Sequence, residues 1–482
     1  MSNSEQTLAN QKPMNQKIEN PLGYQPIWNL LIKFSVPATI SCLINSIYNI
    51  VDQIFIGQGV GYLGNAATTV AFPLMTILLA FGTLIGAGSS AFAAIKLGEK
   101  KEHLAEKTLN NAFMFSIVIS VIIVIIGLIF LEPILVLFGA TENVMPYAMD
   151  YTSIVLLGSP FNMLAIALSN LARTDGNPRM SMYGMLIGAI LNTILNPIYI
   201  FIFDWGVRGS AIATVTSQII SAIILTRYFV KDAKTPQHMR LKKKLMKPDA
   251  KLIRRFLTLG ISSGITSCVA CIMQIVMNRS LVYYGDQSEI TGDVALSAMG
   301  IVMKIAMIIA SFAIGVGIGA QPILGFNRGA EKYRRIRTTY TYAVLLATGS
   351  IFVGWLACQI FPSQIISIFG GESAEFTDFA IKCLRIYLFC IFCAGFQIVS
   401  TNYFQSTGQP LKASILSMLR QLLLLIPLIL ILPLFMGLNG ILFSAPIADS
   451  TSALIVALFI IPEMKKLNRK IKEEDIRLQE AN

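Results

Sequence analysis

Residues 28–56 read WNLLIKFSVPATISCLINSIYNIVDQIFI. The stretch is long enough to cross a bilayer, is apolar over most of its surface and is interrupted once by Pro37. Three polar residues break its second half: Asn45, Asn49 and Asp52. Spacings of four and three put them on one helical face. A carboxylate at that depth is costly unless it faces protein or water, and such acids are as a rule functional. Asp52 is therefore the leading candidate for chemistry in this chain.

The rest of the chain has the same solvent in view. Of 482 residues, 54% are apolar and 13% charged, and the mean hydropathy is +0.65. A soluble protein carries about 25% charged residues, so the composition fits a many-span membrane protein. The formal charge of +12 is spread over short loops between apolar runs, which argues against a nucleic-acid partner. Residues 1–27 are polar and lack the apolar core of a cleavable signal. The seven cysteines all lie in apolar stretches. Cys268/Cys271 and Cys390/Cys393 have CxxC spacing, but no histidine or carboxylate nearby completes a metal site. They read as small packing residues, and no metal is expected.

Apolar runs predict twelve spans of about 20 residues or more. They cover 28–55, 66–95, 108–138, 148–170, 181–203, 209–229, 253–283, 294–324, 338–361, 379–402, 413–435 and 440–462. Loop charge alternates with them. Lys96, Lys100, Lys101 and Lys107 share one side with Arg173, Arg179, the basic segment 230–252, Arg328 to Arg337, Lys412 and the tail from Lys465. The opposite loops are poor in Lys and Arg and carry Glu142, Asp204, Asp286, Glu289, Asp293, Glu372 and Glu375. The alternation predicts cytoplasmic termini.

An internal repeat divides the chain. GAGSSAFAAIKLGEKKE from Gly86 resembles GIGAQPILGFNRGAEKY from Gly317. Gly86, Gly88 and Gly98 fall on Gly317, Gly319 and Gly329. Arg173–Pro178 falls on Gln405–Pro410, and Gly209 on Gly440. The expectation is an all-α integral membrane protein with twelve transmembrane helices in two pseudo-symmetric six-helix bundles, 28–229 and 253–462. A tail at 1–27, a basic linker at 230–252 and a tail at 463–482 flank them on the cytoplasmic side. An even number of spans per unit gives a parallel repeat, with a central cleft for alternating access. A pore is disfavoured, because no filter-like segment recurs.

The first bundle holds the sharper polar cluster. Span 5 offers Asn192 and Asn196, four apart and followed by Pro197. Asparagine both donates and accepts, so with Asn45 and Asn49 these residues are candidate neighbours of Asp52. An acid so placed can take a proton on one side and release it on the other. Pro37 and Pro197 each remove a helical hydrogen bond and predict kinks. The second bundle offers Gln274 and Asn278, Lys304, Gln397 and Asn402, Arg420 and Gln421, and Asp449. Lys304 reads equally as an ion-pair member, a charge sensor in the cleft or a snorkelling lysine. Asp449 reads as an ion-pair partner or a second proton site, and Arg279 as interfacial. Tyr48, Phe161, Met163 and Met185 are candidates for lining an adaptable pocket. No nucleophile–base set or phosphate loop points to an enzyme.

SVPATISCLINSIYNIVDQIFIGQGVGYLGNAATTVAFP, residues 35–73, resembles the first two helices of the MATE multidrug and toxin extrusion family, in a bacterial branch. The Gly-rich ends of spans 2 and 8, the loops at Arg173–Pro178 and Ser406–Pro410, and Asn192–Pro197 are similar too. The resemblance covers about residues 28–462. It implies export of cationic amphipathic compounds from the bacterial cell, driven by entry of H+ or Na+ and without a cofactor. Asp52 matches the family's span 1 acid, implied as the coupling residue, with Asn49, Asn192 and Asn196 around it. Asn45, Tyr48, Phe161, Met163, Met185, Gln274, Lys304 and Gln397 are the substrate-side candidates. Asn196 falls where some members carry a second acid. Other members place acids on spans 7 and 10, and the matching stretches around Ala270 and Cys390–Phe396 have none. Proton coupling is therefore expected, with Na+ as the alternative. Contacts with membrane lipid and a monomer are expected. A lipid-precursor flippase, kept open by Lys304 and Arg420, or a dedicated metabolite exporter are the competing functions.

Overall fold

The computed structural model describes residues 20–60, 62–230, 239–288, 290–367 and 374–480. The loop charges Lys231, Lys234, Glu289 and Glu372 lie outside these residues. The described chain is all α. In order the helices are α1 (Ile27–Val60), α2 (Tyr62–Gly98), α3 (Glu102–Ile129), α4 (Leu131–Leu137), α5 (Met145–Thr174) and α6 (Pro178–Pro197). They continue as α7 (Gly206–Val230), α8 (Ala250–Gly285), α9 (Gly292–Gly329), α10 (Tyr333–Ile360), α11 (Pro362–Ser367) and α12 (Ala374–Tyr387). The last are α13 (Cys393–Ser406), α14 (Pro410–Met418), α15 (Ile426–Ile431), α16 (Pro433–Met436) and α17 (Leu438–Glu480). π-helical turns over Ile198–Ile202 and Leu419–Leu425 extend α6 and join α14 to α15.

Among the described residues, 11 helices are long and apolar enough to cross a membrane. The difference from twelve lies at 379–402. Two 14-residue helices, α12 and α13, replace one continuous span. Between them Ile391 N–H donates to Leu388 O, Cys393 N–H to Cys390 O and Ala394 N–H to Ile391 O. These i→i+3 bonds tighten the turn and interrupt the α ladder. Neither piece alone reaches the roughly 20 residues a span requires.

The long helices close on one another at one end. A Cβ on Gly98 of α2 would strike the Phe326 carbonyl of α9, and one on Gly329 would strike the Ile95 carbonyl. Only glycine permits this backbone-to-backbone approach. α2 meets α8 where Gly260 faces the Leu84 carbonyl, and α1 meets α9 where Gly315 faces Thr39. Ser46 of α1 and Ser311 of α9 then hydrogen-bond at 3.0 Å. The turns just after α2 and α9 match as well: Lys100 and Glu331 are both left-handed, with φ of 60° and 57°. One large apolar cluster runs from Leu22 to Ile471 across these contacts. Two smaller ones, around Leu135 and around Ile56, Tyr151 and Val207, involve only residues 55–211.

Two short segments strap this end. Residues 20–25, ahead of α1, lie on α9 and α10. Asn327 Nδ2 and Arg335 Nη2 donate to Leu22 O, each at 3.1 Å, and Arg335 Nη2 also to Gln25 O at 2.8 Å. Lys332 Nζ donates to Gly23 O at 2.8 Å, and Leu22 is buried. Residues 239–249, ahead of α8, lie on α3. Asn110 and Asn111 each grip the strap's backbone twice, through Arg240 O and Lys242 N–H and through Leu245 O and Asp249 N–H. Lys107 Nζ reaches Asp249 at 2.7 Å. That ammonium, with the Leu252 N–H, holds the Asp249 carboxyl below the usual aspartate range. This contribution is therefore present at neutral pH and is lost only as acid protonates Asp249. Arg335→Ala removes two carbonyl contacts from the first strap. Amide hydrogen exchange over residues 20–25 is expected to quicken roughly tenfold, with residues 239–249 unchanged.

Candidate functional site

Asp52 sits two turns from the end of α1 and is 9% exposed. Its Oδ1 accepts from Asn196 Nδ2 of α6 and from Ser210 Oγ of α7 at 3.1 Å. Asn196 Nδ2 also donates to Asn192 Oδ1 at 3.0 Å. Asn192 Nδ2 donates to Thr214 Oγ1 at 2.9 Å, and Thr214 lies 3.4 Å from the Tyr48 hydroxyl. The side chains thus form one chain from the carboxylate back to α1. The i, i+4 spacings of Asn192/Asn196 and Ser210/Thr214 hold it on the facing sides of α6 and α7. Pro197 and the π turn follow at once, so the backbone departs from α geometry beside the site. Ile56, Tyr151, Val207 and Ala211 pack together in an apolar cluster drawn from α1, α5 and α7. Asn196 is fully buried, and its Oδ1 has no hydrogen-bond partner among the described residues.

A second buried polar pair lies between the π turn after α14 and α17. Arg420 Nε donates to Asp449 Oδ1, and the Asp449 side chain is 1% exposed. Asp449 is an ion-pair member here, and the pairing removes Arg420 as an uncompensated cation. Lys304 of α9 is half-buried and makes no hydrogen bond or ion pair among the described residues.

The other sequence candidates scatter. Asn45 is exposed, and the two donors described at Asp52 come from α6 and α7 instead. The side chain of Asn49 lies outside the described residues. Gln274 is half-buried and donates to Asn278 at 2.9 Å. Gln397 is buried and accepts from Ser452 at 3.2 Å, an internal tie between α13 and α17. Phe161 is exposed and Met185 half-buried. Met163, expected in a pocket, is fully buried in the main apolar cluster. It sits on the broad face of α5 that packs inward. Sequence reasoning misses Ser210 and Thr214. The signal available is their four-residue spacing in GSAIATVTS.

A many-span helical bundle that closes at one end, with a buried acid set among amides and hydroxyls, defines a membrane transporter rather than an enzyme. The MatE family model matches residues 37–198 and 263–431, and the chain belongs to that family. The multidrug export protein MepA of Staphylococcus aureus strain N315 is 28% identical over 436 residues, 90% of this chain and 94% of that protein. MepA of Staphylococcus haemolyticus is 27% identical over 443 residues, 91% of this chain and 94% of its own length. Among solved structures, the ligand-bound MATE multidrug transporter DinF-BH is 32% identical with a TM-score of 0.82, covering 90% and 95% of the two chains. An outward-facing MATE transporter of the MOP superfamily shares the fold at a TM-score of 0.86 and 20% identity, over 93% and 99%. The chain is a multi-pass protein of the bacterial plasma membrane.

Proposed function

We propose that the chain is a secondary antiporter that exports cationic amphipathic compounds in exchange for H+, with Asp52 taking up and releasing the proton. Its relatives named for multidrug export, matched over nearly their whole length, support the export reading. The Asp52 cluster supports the coupling ion. Two donors, Asn196 Nδ2 and Ser210 Oγ, face the carboxylate. The cluster as described holds one carboxylate, with amides and a hydroxyl beside it rather than a second acid. Asn196 Oδ1, the unpartnered acceptor, is the observation that carries the reading. A protonated Asp52 becomes a donor, and a half-turn of the Asn196 amide presents that oxygen to it. The ion gradient supplies the energy, with no cofactor, and Na+ is the competing ion.

In this reading α12 and α13 cross together as one interrupted span, giving twelve. The two six-helix bundles are 28–229 and 253–462, joined by the linker 230–252, with the tails 1–27 and 463–482 outside them. Three matches at a spacing of 231 support the repeat: Gly98 with Gly329, Ile95 with Phe326, and Lys100 with Glu331. The contact from Gly98 to Phe326 is the repeat image of that from Gly329 to Ile95. Loop charge supports cytoplasmic termini and a closed end on the same side. A single chain holds both bundles, and a monomer is the working unit. Reconstituted protein tests the ion. A pH gradient imposed across the vesicle membrane is expected to drive movement of an organic cation dye without sodium. Transport driven by a sodium gradient alone, indifferent to pH, would replace H+ by Na+.

A further inference from the structure

Among the described residues Lys304 is a charge without a counter-charge. It lies 12 residues into the 38-residue α9, and no other cation occurs in that helix before Arg328. Ser311, seven residues on, meets Ser46 of α1, and Gly315 meets Thr39. Seven residues are nearly two turns, so Lys304 shares the face that α9 turns toward α1. On α1 the matching position, seven after Ser46, is the exposed Gln53. Between Gln53 and Lys304 no hydrogen bond is described, and a Cβ built on Gly300, one turn before Lys304 on the same face, would meet nothing within 4 Å. A snorkelling lysine lies on a lipid-facing stripe; this one lies on the stripe facing the partner helix. Another interior cation of that half, Arg420, is neutralised by Asp449. An unpaired intramembrane cation is costly to keep and marks a functional position. The buried acid of α1, Asp52, is already engaged with α6 and α7.

We propose that the Lys304 ammonium recognises an anionic group on the exported molecule. The cleft then prefers amphiphiles that carry a carboxylate or phosphate beside their cationic part over simple monocations. The inference rests on the export function proposed above and names the part of the cargo that function leaves open. Asp52 serves the proton, apolar and aromatic surfaces serve the cargo's body, and Lys304 serves its acid.

The test uses one xanthene dye in two forms, the free carboxylic acid and its ethyl ester, with the full-length protein in proteoliposomes. Wild type is expected to bind and move the acid at lower concentration than the ester. Lys304→Gln is expected to raise the acid's Kd and KM roughly tenfold, the scale of one charge-assisted contact, leaving the ester and both maximal rates unchanged. Lys304→Arg is expected to keep the acid's advantage. Equal effects on acid and ester, or none on the acid, overturn the proposal. So does an effect that appears only when phosphatidylglycerol is replaced by phosphatidylcholine, since the net-anionic lipid headgroup is then the partner. Dye binding is read without any gradient. Failure of pH-driven export with intact acid-selective binding therefore counts against the coupling ion and leaves Lys304 standing.

Discussion

Asp52→Asn is expected to reduce pH-driven export of an organic cation to the level of protein-free vesicles. The substitution keeps the size and one acceptor oxygen, so Ser210 retains its partner. What is lost is the exchangeable proton. The chain of side chains behind it has no second acid, since Asn196, Asn192, Thr214 and Tyr48 follow in turn. None of these can take over a carboxylate's uptake and release of a proton. Dye binding in the absence of a gradient is expected to persist, and that separates loss of coupling from loss of fold. Full pH-driven export by the variant would remove Asp52 from the mechanism.

The second large effect concerns stability. Arg420→Ala leaves the Asp449 carboxylate, 1% exposed at the side chain, without its cation. Removing one partner of a buried ion pair costs about 3–5 kcal/mol, whereas replacing both by apolar residues is often neutral. Arg420→Ala is therefore expected to lower the thermal unfolding midpoint in detergent sharply. The double variant Arg420→Met with Asp449→Leu is expected to recover most of it. If the double variant also lost pH-driven export while remaining folded, Asp449 would be a coupling site and its role as a structural partner would fail.

The membrane fold is legible because a bilayer demands long apolar helices, and 11 such helices are present among the described residues. The interruption at 388–392 is not, because LFCIF carries neither proline nor glycine. Asp52 stands out by its cost, and Asn192 and Asn196 by their shared face. Ser210 and Thr214 escape notice because short hydroxyl residues are common in membrane helices and satisfy themselves on their own backbone. Met163 shows the reverse error: methionine fills cores as readily as pockets. The strap contacts are illegible for a plainer reason. Arg335, Lys332 and Asn327 recognise backbone carbonyls, and a carbonyl leaves no mark in a sequence.

Those straps also constrain how the molecule is assembled. Leu22 and Asn327 are separated by 305 positions. The ribosome adds 305 further residues after Leu22 before the first strap has Asn327 to hold. Until then the segment ahead of α1 stays undocked, while α1 to α7 insert without it. The second strap differs, because α3 is already in place when residues 239–249 emerge. Maturation thus has a built-in order, the linker seating first and the N-terminal segment last.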